Sequence, residues 1–335
     1  MRFKTRQGQI RPPDLQQIGE KFAIDVKTKA AEIGATRIYN ADQTAVFFEY
    51  LPKQTLAKKG SKTVWVKCGG KSKDRATAMI LGDSTGAKYP PFVIFKMKPS
   101  KIKETRDKNE SERHGFSLSM WKKHIVKAQN DTGMQVYTNT KGWWNHKMTI
   151  NFLQFHFSNR QNMSEPILLL LDDFSGHWTE DVIEYAKTIN VTLMKVPPNA
   201  TSVSQPADAT WNGPLKVRLR NMWIQYLREK LRARKPGDAF KLKAPSRGML
   251  CEWIHSTWSD VEASTIVSGF RKCGFVERDV GPETINETSA EQEDFADDII
   301  EEVIEAGWID QDVGSFTLDD DFDEIFRSVV EHNTE

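Results

Sequence analysis

The sequence predicts an α/β protein: a mixed β-sheet with flanking helices, followed by an acidic C-terminal tail. Three observations carry that expectation. The run "ILLLL" at 167–171 is apolar at every position, which suits a central strand covered on both faces. Before it, "TRIYNADQTAVFFEYLP", "KTVWVKCGG", "ATAMILGDSTGAKYP" and "PFVIFK" are strand-like runs separated by Gly-containing turns. Around and after them, apolar residues recur at helical spacing.

Taken in order, residues 1–33 are basic, broken by Arg11-Pro12-Pro13 and helical in pattern from Asp14 to Ile33. They read as a basic lead-in or remnant linker, too short for a domain. Ile38, Asn40 and Asp42 alternate with Tyr39 and Ala41, as a strand requires, and Pro52 ends the run. The following strand-like runs complete an antiparallel meander. From Lys98 to Trp121, "KMKPSKIKETRDKNESERHG" offers few apolar residues and is expected to be a mobile basic loop. "NHKMTINFLQFHFSNRQNM" has helical spacing, with Met148, Phe152, Phe155 and Phe157 as its apolar side. The central strand follows, then a helix in "TEDVIEYAKTIN" with Thr179 as N-cap and acidic residues in its first turn. "VTLMKV" is a further strand and "PPNATSVSQPAD" a loop.

Leu215, Leu219, Met222, Tyr226, Leu227 and Leu231 mark a long helix that also carries Lys216, Arg218, Arg220, Arg228 and Lys230. Two last helices, in "GMLCEWIHSTWSDV" and "EASTIVSGFRKCGF", close the folded part. A meander joined through helices to two further strands is the ribonuclease H-like order, assigned to residues 34–280. Residues 281–335 are then an acidic, partly disordered tail.

Composition narrows the class of function. With 39% hydrophobic and 28% charged residues, the 335-residue chain has the make-up of a globular protein. No apolar run approaches the length of a membrane span, and "MRFKTRQGQIRPP" lacks the apolar core of a signal peptide, so an intracellular protein is expected. Cys68, Cys251 and Cys273 form no CxxC pair, which leaves them as buried or incidental thiols. The net charge of +1 conceals an asymmetry: residues 281–335 hold 19 acidic residues against Arg327 alone, net −18, leaving +19 on residues 1–280. Such a basic body suits a polyanion, with nucleic acid the first candidate. The plainer alternative is a lysine-rich solubilising surface.

The predicted order brings three acids together. Asp42 would lie on the first strand, Asp172 at the carboxyl end of the central strand, and Asp208 at the start of the long basic helix. Ligand sites in open α/β sheets form beyond the carboxyl ends of strands, where Asp172 falls. First and fourth strands are neighbours in this fold, so Asp42 and Asp172 can meet although 129 residues separate them. Three clustered carboxylates repel one another unless a cation holds them. Mg²⁺ takes oxygen ligands, and a pair of such ions can support in-line attack on a phosphodiester.

At these residues a resemblance enters. "NADQT" with "FFEYLP", then "LLLLDDFSGH", then "VPPNATSVSQPADATWNGPLK" and the closing "TIVSGFRKCGF" resemble the DDE-type transposase domain of the pogo and Tigger branch of the mariner superfamily, related to centromere protein B. The likeness runs from about Ile38 to Phe275, about seventy per cent of the chain. It implies Asp42, Asp172 and Asp208 as catalytic and metal-binding acids, with 35 residues between the second and third. It further implies two Mg²⁺ (or Mn²⁺) ions, DNA as partner, a homodimer as candidate assembly, and a nuclear location, for which "KMKPSKIK" could serve as a basic signal. Asp173 stands where the family has asparagine and adds negative charge beside the site. The resemblance also implies paired helix-turn-helix units ahead of the catalytic domain, and residues 1 to about 30 are expected to be their last helix or a linker.

Other residues have an ordinary reading beside the functional one. His177 could orient a carboxylate or a phosphate, and reads equally as a structural hydrogen-bonding residue. Asn199 and Gln205 are expected to shape the loop before Asp208, which Pro197, Pro198 and Pro206 stiffen. Trp143, Trp144, Trp253 and Trp258 could stack on bases, but their setting favours core. The tail is a solubiliser, or else a partner-binding or autoinhibitory segment that mimics DNA on the basic body. Two functions remain: a transposon-derived endonuclease that cuts and joins DNA, or a domesticated derivative that binds DNA or chromatin without cutting.

Overall fold

The computed structural model describes residues 12–50, 65–66, 74–233, 243–277 and 309–310. The chain divides into two compact units, Met1–Tyr50 with Gly70–Tyr226 and Lys243–Thr284 in one, and Leu51–Gly69 with Leu227–Leu242 and Ile285–Glu335 in the other.

The first unit is built on a six-stranded sheet. Its strands are β1 (Ile38–Phe47), β3 (Arg75–Asp83), β4 (Lys88–Lys96), β5 (Gln135–Asn139), β6 (Ile167–Leu171) and β7 (Val191–Lys195), in the order β5-β4-β3-β1-β6-β7. Strand β3 runs antiparallel to both β1 and β4, while β1, β6 and β7 are mutually parallel. That is the ribonuclease H-like arrangement, with β5 added in parallel beyond β4. The second unit holds a short antiparallel pair, β2 (Trp65–Val66) with β8 (Ile309–Asp310). "KTVWVKCGG" therefore does not supply a strand of the meander, which is made of β1, β3 and β4.

Hydrophobic burial fixes the two faces. On one, Tyr39, Ala41, Met79, Leu81, Leu169 and Leu171 pack with Phe152 and Phe157 of α5 (His146–Phe157) and with Val182 and Ala186 of α6 (Glu180–Thr188). On the other, α9 (Arg247–Ser259) lies on β4 and α10 (Ala263–Lys272) on β3. Strand β6 is buried at all five positions, as its unbroken apolar run requires. Each buried leucine of this kind contributes about 1.5–3 kcal/mol. Asn145 caps α5 by accepting Met148 N–H at 3.0 Å. Thr179 occupies the N-cap of α6, where Glu180 and Asp181 begin the first turn, but its hydroxyl makes no capping bond.

Other elements depart from expectation. Lys103–Arg113 is a helix (α2), not a loop, followed by α3 (Leu118–Met120), a π-helical turn at Trp121–Ile125 and α4 (Val126–Thr132). Helix α2 has almost no apolar residues to reveal its period; it is held by polar anchors. Buried Arg113 donates to Asn109 Oδ1 at 3.2 and 3.1 Å, and left-handed His114 stacks on Tyr137 at 4.0 Å. The loop before Asp208 contains a short helix, α7 (Thr201–Ser204), and a π-helical turn, Ala207–Trp211, that leads into α8 (Asn212–Arg232). On α8, Leu215, Leu219, Trp223 and Tyr226 are buried, whereas Met222 is only half-buried. The four-residue step that selects Leu215 and Leu219 continues to Trp223. Helix α1 (Pro12–Ile33) buries Phe22, Ala23 and Val26, with Phe22 edge-on to Phe275 at 5.8 Å.

Trp144, Trp253 and Trp258 are buried core residues, and Trp143 is half-buried. Cys251 and Cys273 are buried free thiols, each pushed up to about 12 chiefly by burial, so neither is a ready nucleophile. Cys68, most of the acidic tail, and residues 1–11 of the lead-in lie outside the described residues. Among those described, no helix is long and apolar enough to cross a membrane.

Candidate active site

The parallel pairing of β1 with β6 determines where two of the aspartates lie. Ile38 faces Leu168, Tyr39 faces Leu169 and Asn40 faces Leu170. Asp42 and Asp172 each sit two residues beyond that last pair, so the register carries them to the same level. Asp42 is inside the sheet, 8% exposed and opposite Ile80 of β3, while Asp172 follows the end of β6 and is half-buried. Asp208 sits in the π-helical turn before α8.

Asn40 ties the three segments together. It is fully buried; its Nδ2 donates to Leu170 O at 3.1 Å, and its Oδ1 accepts Ala207 N–H at 3.0 Å. One amide thus links the strand of Asp42 to the residue two before Asp172 and the residue one before Asp208. Asn212 completes the arrangement from the other side, its Nδ2 donating to Asp42 Oδ2 at 2.6 Å and Asp208 Oδ1 at 2.9 Å. Asn212 is the fourth residue after Asp208, the spacing that puts two side chains on one helical face.

The carboxylates feel one another. Burial pushes the Asp42 carboxyl well above the usual carboxylate range, and the negative charges of Asp208 and Asp172 push it the same way; the Asn212 amide and the backbone of Gln43 oppose them. Asp172 has a different setting. Its Oδ1 accepts Phe174 N–H at 3.3 Å, its carbonyl accepts Trp178 Nε1–H at 2.9 Å, and His177 Nε2 is 3.2 Å from its Oδ1. His177 is buried. Its Nδ1 is 3.0 Å from Thr149 Oγ1, a hydroxyl that also accepts Trp144 Nε1–H at 2.9 Å, and the Gln43 side-chain amide lies 3.1 Å from Nε2. Nε2 thus faces both the Asp172 carboxylate and the Gln43 amide, and Nδ1 faces the Thr149 hydroxyl, whose hydrogen is also within reach of Gly176 O at 3.0 Å, so the ring is held at both of its nitrogens.

Asp173 points elsewhere. It is exposed and paired with Lys195 at 2.6 Å, and the Lys195 ammonium also lies 4.9 Å from the centre of the Trp178 ring. The extra negative charge beside Asp172 is thereby offset locally. Asn199 is exposed and takes the left-handed conformation with φ 59°, turning the chain between the two prolines and α7. Gln205 is buried, and neither of its amide atoms has a hydrogen-bond partner among the described residues; its backbone carbonyl accepts Ala209 N–H at 3.0 Å and helps form the turn that bears Asp208. Neither Asn199 nor Gln205 is hydrogen-bonded to the three aspartates.

Sequence reasoning passed over Asn40, Asn212, Gln43 and Thr149. Two of them left a signal. Asn40 shares a strand face with Asp42 through the two-residue alternation, and Asn212 shares a helical face with Asp208. Gln43 and Thr149 left none, because only the fold brings them to His177.

The donor set is oxygen throughout, and a divalent cation that prefers oxygen suits it. The Asp42 carboxyl is raised first by burial and then by the charges of Asp208 and Asp172, and a bound cation would favour its charged form. As the side chains stand, Asp42 and Asp208 are bridged by an amide and Asp172 faces His177. Among the described residues no three His, Cys, Asp or Glu side chains form a ready-made metal-binding group.

Comparison with known proteins gives consistent relatives. A family model described as "DDE superfamily endonuclease" matches residues 73–270, a span that includes Asp172 and Asp208 and begins after Asp42. The chain is 24% identical over 278 residues to "Pogo transposable element with KRAB domain" of Homo sapiens, covering 82% of this chain and 41% of that protein. It is 23% identical over 261 residues to "CENP-B homolog protein 2" of Schizosaccharomyces pombe, covering 74% of this chain and 44% of that one. The chain thus spans less than half the length of these curated relatives. Among solved structures it is similar to the Mos1 mariner paired end complex with Mn, at TM-score 0.46 and 12% identity over 82% of this chain and 64% of that one. It is also similar to the catalytic domain of Mos1 mariner transposase, at TM-score 0.40 and 10% identity over 81% and 93%.

Proposed function

Because the chain belongs to the DDE superfamily of endonucleases, we propose that it is a transposase-type domain that binds DNA and cleaves and transfers its strands with divalent metal at Asp42, Asp172 and Asp208. The observation that carries this reading is the convergence of the three acids: strand register brings Asp42 level with Asp172, and Asn212 joins Asp42 to Asp208. Mg²⁺ or Mn²⁺, two ions in this reading, would supply a Lewis acid for the phosphodiester and an activated water or 3′-hydroxyl.

The chain's own residues prepare that chemistry. Asp42 offers a carboxylate on a buried strand that cannot swing away. Asp172 is oriented by His177, itself steadied by Thr149 and Trp144. Asp208 is carried by a turn anchored through Asn40. The net +19 of residues 1–280 favours the phosphate backbone without regard to base sequence. DNA is the partner this reading requires; a second copy of the chain and a nuclear location accompany it.

The test is nicking of supercoiled plasmid by purified protein with Mg²⁺, Mn²⁺ or chelator, beside the Asp172→Ala and Asp173→Asn variants. Metal-dependent nicking should be lost in Asp172→Ala, with DNA binding kept, and retained in Asp173→Asn, whose exposed pair with Lys195 contributes at most about 1 kcal/mol. Salt-sensitive DNA binding without nicking would instead support a domesticated binder.

A further inference from the structure

Asn212 holds an unusual position between two acids. Its nitrogen has two hydrogens and faces two carboxylates, Asp42 Oδ2 at 2.6 Å and Asp208 Oδ1 at 2.9 Å. The nitrogen end of the amide faces both, and with both carboxyls charged the oxygen would meet two acceptors. The other end is idle: Asn212 is 7% exposed, and its Oδ1 is buried with no hydrogen-bond partner among the described residues. A buried acceptor left without a donor is costly, on the order of 1–3 kcal/mol, and asks for a reason.

We propose that Asn212 is a placeholder that becomes a ligand: its NH₂ group bridges Asp42 and Asp208 in the structure, and with a divalent cation bound by these acids the amide turns over to present Oδ1. Partial positive charge on the two amide hydrogens suits the metal-free pair and is repelled by a cation at the same point. Turning a planar amide about its last torsion exchanges nitrogen for oxygen with almost no change of shape, so the packing around α8 need not yield. No hydrogen bond to Oδ1 has to be broken. A carbonyl oxygen is a suitable ligand for Mg²⁺ or Mn²⁺ and adds no fourth negative charge to a group already crowded with three. Four residues after Asp208, Asn212 delivers this oxygen from the same helical face. The inference rests on the reading of Asp42, Asp172 and Asp208 as a metal site.

Mn²⁺ binding to the full chain, followed through the free-ion EPR signal, separates the two. Wild type should bind, Asp42→Asn should bind far less, Asn212→Ala should bind about tenfold more weakly, and Asn212→Asp should recover wild-type affinity or exceed it. Equal or tighter binding by Asn212→Ala would make the amide a spectator or a competitor and overturn the proposal while leaving the acid site intact. Absence of binding by wild type, or binding indifferent to Asp42→Asn, would remove the acid site and the proposal together. A second measurement needs no folding-sensitive variant. In wild-type protein labelled with [¹⁵N]asparagine, the Asn212 side-chain NH₂ resonances, assigned by their loss in Asn212→Asp, should move on adding Mg²⁺. If they stay in place under Mg²⁺ concentrations that saturate the site, the amide does not turn and the idea fails.

Discussion

At the scale of single residues, the site is a balance between like charges and a few amides. Asp42 is the residue under most tension, since burial and two neighbouring acids all disfavour its charged form. Its carboxyl holds a proton to higher pH in the folded chain than in the unfolded one. Folding stability from this group is therefore present below the ordinary carboxylate value and lost as pH rises through the raised one. In metal-free protein, Asp42→Asn should raise the melting temperature at neutral pH, with the gain shrinking toward about pH 4, where the unfolded carboxyl also takes up its proton. Mn²⁺ should stabilise wild type and leave Asp42→Asn almost unmoved. Thermal melts with and without Mn²⁺ at two pH values check both. A lower neutral-pH melting temperature for the variant would mean that Asp42 is not the strained group described. Two of the candidate acids stood out in the chain, after the apolar strand and within "QPAD", whereas Asp42 joined them through the expected strand order and the resemblance. The asparagines that bind them together were less legible, since Asn40 and Asn212 are ordinary letters until their partners are known.

At the scale of elements, α10 does more than close the fold. It grips the turn that bears Asp208: Trp211 Nε1 donates to Ile266 O at 3.2 Å and Thr210 Oγ1 to Thr265 O at 2.9 Å. The contact is close enough that a Cβ on Gly269 would lie 2.7 Å from Pro206 O and 2.8 Å from Trp211 Nε1. Gly269→Ala should then cost about 1–3 kcal/mol in urea unfolding through forced separation of α10 from the turn. Nicking should weaken as well, because Asp208 moves with the turn. An alanine variant of wild-type stability and activity would show that the turn does not depend on this approach. The same scale explains which elements the sequence hid. Strand β5 spans five residues with alternating burial, "QVYTN", and carries too short an apolar signal to be separated from its surroundings. Helix α2 is polar along its whole length and is defined by capping and by the Arg113 and Asn109 bonds, which hydrophobic period does not report.

At the scale of the whole molecule, charge is the dominant feature. The +19 body and −18 tail nearly cancel in total, yet a nucleic acid approaching residues 1–280 would meet the body's charge at short range. If about six phosphates are neutralised, affinity for a labelled duplex should fall roughly 10³-fold between 50 and 200 mM salt. Fluorescence anisotropy across that range measures the slope, and a flat line would remove phosphate contact as the basis of binding.

The sequence by itself determined the central strand, the acid at its end and the charge asymmetry. Each of these is written in local pattern or in composition: an apolar run has to be buried, and counted charges do not depend on the path of the chain. The tertiary structure alone set His177 against Asp172 and paired Asp173 with Lys195. It alone brought Thr149 and Gln43 to His177, set Asn212 between two carboxylates, and put α10 behind the Asp208 turn. These contacts join residues far apart in the chain, such as Asn40 with Ala207 and Asp42 with Asn212. Their geometry depends on strand register and helix packing, which no local spacing encodes.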